Sequence, residues 1–169
     1  MLDIIKDIKT ALGNDAYIAA TALALTMPDI CCQVENGISS SNRNHYITWA
    51  NNHMDKEDFT FPLSGFERQK FDGEMCYALR CKVLHNGNVD IKDSQMTINV
   101  DQFVLTKPGD KKYFKGYTYS EETQPDGSTK TVTYIGADYL CERLCEAVEL
   151  FYNSWPNKAD FDSHSIWVK

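Results

Sequence analysis

The chain has 169 residues, 43% of them hydrophobic and 24% charged, which is the composition of one globular domain with a core of ordinary size and not that of a disordered chain. A net charge of −7 at pH 7 and a sequence pI of about 5.0 exclude a generally basic protein that coats nucleic acid through many phosphate contacts. They leave room for a small cleft in which one or two cations handle a single phosphate.

The elements follow in chain order. Leu2, Ile5, Ile8 and Leu12 recur at helical spacing, and Gly13-Asn14 supplies a stop. Asp15 is placed to cap a second helix over about Ala16 to Met27. This is the longest apolar stretch, and it falls short of the roughly 18 to 20 residues of a membrane span. No basic-then-apolar leader opens the chain, so the expectation is a cytoplasmic protein that makes no use of a membrane. Pro28 can begin a new helical turn, and Gly37 can end it. Residues 38–43 read as a polar loop and Asn44 to Met54 as a third helical segment. Asp55 to Asp72, broken by Pro62 and Gly65, reads as a loop with a short helical turn. Glu74 to His85 is a strong helix candidate, with Cys76, Leu79 and Val83 on one face and Asn86-Gly87-Asn88 as its stop.

After Asn88 the period changes from 3.6 to 2. Gln95 to Leu105 alternates with a slip of one residue, which suggests a bulge. Tyr113 to Tyr119 and Lys130 to Ile135 are two more β runs, with turn signals at residues 107–110 and at Pro125-Asp126-Gly127. Asp138 is placed to cap a last helix running to about Ser154 and closed by Pro156. The tail carries Phe161, Ile166 and Trp167. The expected fold is therefore mainly α (α+β): a helical bundle with a small antiparallel β-meander before the last helix. It forms a single domain over 1–169, with a helical core at 1–90 and 137–155 and the β insertion at about 92–136.

The six cysteines include no C-x-x-C pair, so the usual zinc spacing is missing. Cys141 and Cys145 fall in the apolar series Cys141, Leu144, Cys145, Val148, which is helical core spacing. Reduced core thiols are expected, with no metal site and no cofactor. The serines at 39–41 lack the Gly-x-x-x-x-Gly-Lys frame of a P-loop. No Gly-x-Ser-x-Gly elbow or His-Glu-x-x-His is present either.

The stretch with chemical content is Gly73 to Asn88. Arg80 is followed by four residues and then His85, with Asn86 and Asn88 behind it. A histidine can move a proton near neutral pH. A guanidinium can hold a phosphate and stabilise its extra transition-state charge. Together they could activate a ribose 2′-hydroxyl against the adjacent phosphate without a metal. Five residues of ideal helix, however, rotate the direction by a net angle of about 140°. Arg80 and His85 share a site only if the helix changes near His85, if Arg80 reaches around, or if two protomers contribute.

Each residue also has a plainer use. Arg80 could pair with Asp29 or Glu35 and fix helix packing. His85 could sit at the negative end of a helix dipole. Asn86 and Asn88 are candidate substrate-binding residues, and in the plainer use they suit a turn. Tyr46 and Trp49, three apart on one helical face, suit the core, or, as the sharper alternative, stacking on a base. His45 and His53 suit solvated surface.

The Arg80–His85 stretch resembles the R-x4-H motif of the HEPN (higher eukaryotes and prokaryotes nucleotide-binding) superfamily. The chain also looks like a family of bacterial proteins with three recurring segments. The first is Asp29-Ile30-Cys31-Cys32 with Glu35, and the second is Tyr46-Ile47-Thr48-Trp49. The third is a C-Y-x-x-R-C-x-x-L-H-x-G core, Cys76 to Gly87. The HEPN resemblance implies a small helical bundle that is commonly a homodimer. It also implies a metal-independent endoribonuclease with Arg80 and His85 as its catalytic pair, and a protein partner such as an antitoxin. Active members usually carry a polar residue directly after the arginine, and Cys81 stands there. Two alternatives therefore stay open. One is a non-catalytic domain that binds a nucleotide, RNA or a protein. The other is a purely structural role for the Arg/His motif.

Overall fold

The computed structural model describes residues 1–54, 71–86, 100–113 and 115–164, without the side chains of His85 and Asn86. The segment expected as a loop at 55–70, the start of the first β run, Asn88, and Ile166 and Trp167 lie outside the described residues.

Helix α1 spans Leu2–Gly13 and buries Ile5 and Ile8. Asp15 then adopts a left-handed backbone, φ +58°. It does not cap the next helix: α2, Tyr17–Ala24, has no side-chain cap, and the Asp15 carboxylate instead accepts from the Tyr17 hydroxyl at 3.2 Å. A turn at Leu25-Thr26 leads into α3, Met27–Asn36, with Pro28 in its first turn, where a missing N–H costs nothing. Gly37 closes α3 at φ +62°, a conformation that glycine adopts without a Cβ penalty.

The stretch Tyr17–Asn36 corrects the expectation about apolar runs. It has 20 residues and a mean hydropathy of 1.3, enough by length and composition to cross a membrane, and half of that window is buried inside the fold. The sequence reading stopped the run at Met27 and so missed Ile30 to Val34.

Helix α4, Arg43–His53, starts at Asn42, whose side chain accepts from the His45 N–H. Helix α5, Gly73–Cys81, starts at Asp72, which accepts from the Glu74 and Met75 N–H groups. Gly73 is required there, because a Cβ would lie 2.4 Å from the Ile47 carbonyl oxygen. The expected continuous α-helix to His85 is not formed. After Cys81 the chain widens into a π-turn, Lys82–Asn86.

The strands are β1, Gln102–Thr106, β2, Tyr117–Thr123, and β3, Thr129–Gly136. They form a mixed sheet in the order β1-β3-β2, which corrects the antiparallel meander. The β2–β3 hairpin is antiparallel as its turn residues predict, but β1 pairs with β3 in parallel. The connection over 107–116 can bridge the two strand spacings, about 10 Å, that separate the sheet edges. The choice of centre follows from burial. Val132 to Gly136 is buried at every position, which suits a strand covered on both faces, whereas β2 alternates towards solvent.

Helix α6, Ala137–Ser154, follows β3 directly, and its N-cap is Gly136, not Asp138. The Asp138 carboxylate accepts from the Tyr113 hydroxyl at 2.8 Å instead. Leu140, Cys141, Leu144, Cys145, Val148 and Phe151 give α6 a buried stripe. That stripe joins residues from α1 to α5 and Phe103, Tyr117 and Ile135 of the sheet in one core. A 3-10 helix, Lys158–His164, seats Phe161 in the same core.

Candidate functional site

The site is assembled on the face of α5 that looks towards α3 and α4. Tyr77, Arg80 and Cys81 lie three and four residues apart, so they share that face. Arg80 donates from Nε to Asp29 Oδ2 at 2.6 Å, which ties the last turn of α5 to the first turn of α3. The other oxygen of Asp29 accepts from the Ser41 hydroxyl at 2.8 Å. The Arg80 and Asp29 side chains keep 19% and 16% of their surface, so the pair is largely but not wholly desolvated. Burial pulls the Arg80 pKa down, but the hydrogen bond and charge of Asp29 outweigh it, and the guanidinium is held above its ordinary value.

Two rings flank this cation. The Arg80 guanidinium carbon lies 5.8 Å from the Tyr77 ring centre and 5.9 Å from that of Tyr46, within cation–π range. The rings meet edge-on at 5.4 Å. A second arginine, Arg43 from the first turn of α4, stands 6.0 Å from the Tyr77 ring centre. Its Nη2 pairs with Glu74 Oε1 at 2.8 Å. Tyr77 is half-buried. Its hydroxyl is pushed up by burial first and then by the charge and hydrogen bond of Cys81. Cys81, which directly follows Arg80, thus acts on the tyrosine beside it.

The other sequence candidates separate. Asp29 is the partner of Arg80; Glu35 is not, and pairs with His53 Nε2 at 2.9 Å. His53 is not a solvated surface residue, since it stacks on Trp49 at 4.9 Å and meets Phe151 edge-on. Tyr46 and Trp49 are fully buried. Tyr46 donates to the Leu25 carbonyl at 3.1 Å, and Trp49 meets Phe151 edge-on at 5.7 Å. Both are core residues with no ring face open to a base. His85 and Asn86 occupy the end of the π-turn; their side chains and the whole of Asn88 lie outside the described residues.

Arg43, Tyr77 and Ser41 are the neighbours that the motif reading missed. A Tyr-x-x-Arg pair on one helix was a usable signal for Tyr77. Nothing local marks Arg43, which arrives from α4 only through tertiary packing. Five of the six thiols are buried in the core and Cys81 is half-buried. Among the described residues, no group of three or more His, Cys, Asp and Glu side chains could hold a metal ion.

Comparison of the chain with protein-family models, curated proteins and solved structures returns no match.

Proposed function

We propose that this chain is a HEPN-type protein that handles RNA phosphates, and that it acts as a metal-independent endoribonuclease through Arg80 and His85. The observation that supports this reading is the π-turn at Lys82–Asn86, which covers the last part of the Arg80–His85 interval. In a π-turn each residue rotates the chain by about 80° in place of about 100°, so the net offset between the two backbone positions drops from about 140° to about 80°. The widened turn removes much of the geometric objection to a shared site. Such turns recur at functional sites in helices.

In the proposed reaction the ribose 2′-oxygen attacks the adjacent phosphorus and gives up its proton to His85. The new bond closes a 2′,3′-cyclic phosphate while the bond from phosphorus to the 5′-oxygen breaks. The leaving 5′-oxygen takes a proton from water and departs as a hydroxyl, and His85 returns its own proton to solvent. Arg80 offsets the charge gathered on the non-bridging oxygens. The expected setting is a homodimer in the cytoplasm of a bacterium, with no membrane involved and with a protein such as an antitoxin as possible partner.

A second reading has its own support. The 2.6 Å Arg80–Asp29 pair suits an arginine that ties α5 to α3. On that reading the domain binds RNA, a nucleotide or a protein without cutting, or the motif serves the fold alone.

The deciding experiment is cleavage of a mixed panel of single-stranded RNAs by purified protein in EDTA. The expected products end in 2′,3′-cyclic phosphate and 5′-hydroxyl. His85→Ala should lower the rate by about 10²- to 10⁴-fold. Arg80→Ala should do the same, with circular dichroism to show that it folds. Wild type that binds RNA and never cuts it selects the non-catalytic domain; wild type that does neither selects the structural role.

A further inference from the structure

We infer that Arg43 and Tyr77 extend the Arg80 site into a subsite for single-stranded RNA, with two phosphates and one base as its footprint. The inference rests on the reading of Arg80 as a phosphate-handling residue. Three observations carry it. Both guanidinium carbons lie within 6.0 Å of the same half-buried Tyr77 ring, so the two cations are at most about 12 Å apart and share one aromatic neighbour. Guanidiniums clustered with an aromatic ring suit an unpaired strand, since phosphates follow the cations and a base stacks on the ring or on a guanidinium plane. Second, the two arginines come from different helices, with Arg43 in the first turn of α4 and Arg80 in the last turn of α5. The convergence is therefore tertiary and not a by-product of one helix's charge pattern. Third, the ledge is localised on a chain whose net charge is −7. That net charge disfavours long tracts of duplex, whose binding draws on many phosphates, and leaves a short contact as the footprint.

The acids at the ledge are compatible with this footprint. Arg43 and Glu74 keep 29% and 25% of their side-chain surface, so water reaches the pair, and a phosphate at this position competes with Glu74 for the guanidinium. Arg80 is held from its Nε edge by Asp29, and Asp29 in turn by Ser41. That chain of bonds fixes the direction of the guanidinium beside the Tyr77 ring.

The test is binding of a fluorescein-labelled 2′-O-methyl RNA decamer of mixed sequence, followed by fluorescence anisotropy between 30 and 300 mM salt. This probe offers the phosphates and bases but no 2′-hydroxyl nucleophile, so binding is read apart from cleavage. Wild type should show a slope of log K against log salt of about −1.4, from two phosphates at roughly −0.7 each for a single strand. Arg43→Met should halve that slope, and Arg43→Lys should restore it. Tyr77→Leu should weaken binding by roughly 5- to 100-fold, and Tyr77→Phe should keep it. Melting curves establish that each variant is folded. If Arg80→Met loses binding while Arg43→Met and Tyr77→Leu bind as wild type, the subsite is refuted and Arg80 keeps its phosphate role. If wild type binds the decamer at no salt concentration, both the subsite and the reading beneath it are overturned.

Discussion

Removing Asp29 tests whether Arg80 is tethered. The substitution Asp29→Ala leaves the Arg80 guanidinium largely desolvated without the carboxylate that accepts from its Nε at 2.6 Å. It also takes the acceptor away from the Ser41 hydroxyl. Breaking a fully buried pair from one side costs about 3–5 kcal/mol, and an exposed pair contributes about 0–1 kcal/mol. With 19% and 16% of the two side chains still exposed, the loss should fall between these limits, at about 2 kcal/mol. For a chain of this length that lowers the melting temperature by roughly 4–8 °C. Arg80→Met should cost less, because methionine fills the space of the stem and the stranded carboxylate can draw water. The double variant should be more stable than the sum of the single losses by about 2 kcal/mol, since neither charge is then left alone. Urea denaturation at pH 7, followed by far-ultraviolet circular dichroism, gives all four corners of the cycle. A loss under about 0.5 kcal/mol for Asp29→Ala, or additive losses in the double variant, would refute the tether.

Two further predictions concern the fold. Gly73→Ala places a Cβ 2.4 Å from the Ile47 carbonyl oxygen, so α5 must move off α4; a loss of about 1–3 kcal/mol is expected, and a urea midpoint equal to wild type would sink the packing argument. Alkaline pH should unfold the protein. Burial pushes the Cys76 and Cys141 thiols up to about 12 and those of Cys32 and Cys145 to about 11, from an ordinary 9.0. The unfolded chain therefore ionises first, and stability that is intact below pH 9 is lost as pH rises towards 11. Each deeply buried thiol contributes up to about 1.4 kcal/mol per pH unit, so Cys76 and Cys141 dominate and together give roughly 3 kcal/mol per unit between about pH 9 and 11. Melting curves in a phosphine reductant should be flat from pH 6 to 8 and fall steeply above 9; a flat profile to pH 10.5 would contradict the burial of these thiols.

Much of the fold was legible because local rules were strong where the chain is regular. The apolar spacing of Ile5 and Ile8, Gly37 at a left-handed stop, and the stripe Cys141, Leu144, Cys145, Val148 each state their role within one element. The errors share one cause: a local signal with a competing partner elsewhere. Asp15 and Asp138 are good capping residues by type, yet tyrosine hydroxyls take both carboxylates. The runs that became β1, β2 and β3 were visible, but pairing is a tertiary choice. The turn at 107–110 looked like the start of a hairpin, when it begins a passage to the far edge of the sheet. The stronger clue was the unbroken burial-compatible run of β3, which marks a central strand.

The same distinction governs the site. Arg80 and Asp29 were matched from charge alone, and 51 residues of separation are closed by one 2.6 Å hydrogen bond. Glu35 was an equal candidate by type, but it sits within reach of His53 at 2.9 Å, and a carboxylate held by one partner is lost to another. Tyr46 and Tyr77 both stand beside the Arg80 guanidinium. Burial divides them: the Tyr46 hydroxyl is spent on the Leu25 carbonyl inside the core, while Tyr77 stays half-buried within 6.0 Å of two guanidiniums. The π-turn has a comparable origin. The stretch Lys82 to Asn86 contains no proline or glycine to signal a break, so its widened geometry is a product of packing and not of propensity. What the chain's local chemistry specifies is the arginine and its helix. What the packed helices add is the direction of that arginine, a second cation and a ring beside it, and a shorter angular path to position 85. On the proposed ribonuclease reading, those additions are what an Arg80–His85 pair needs to act on one phosphate.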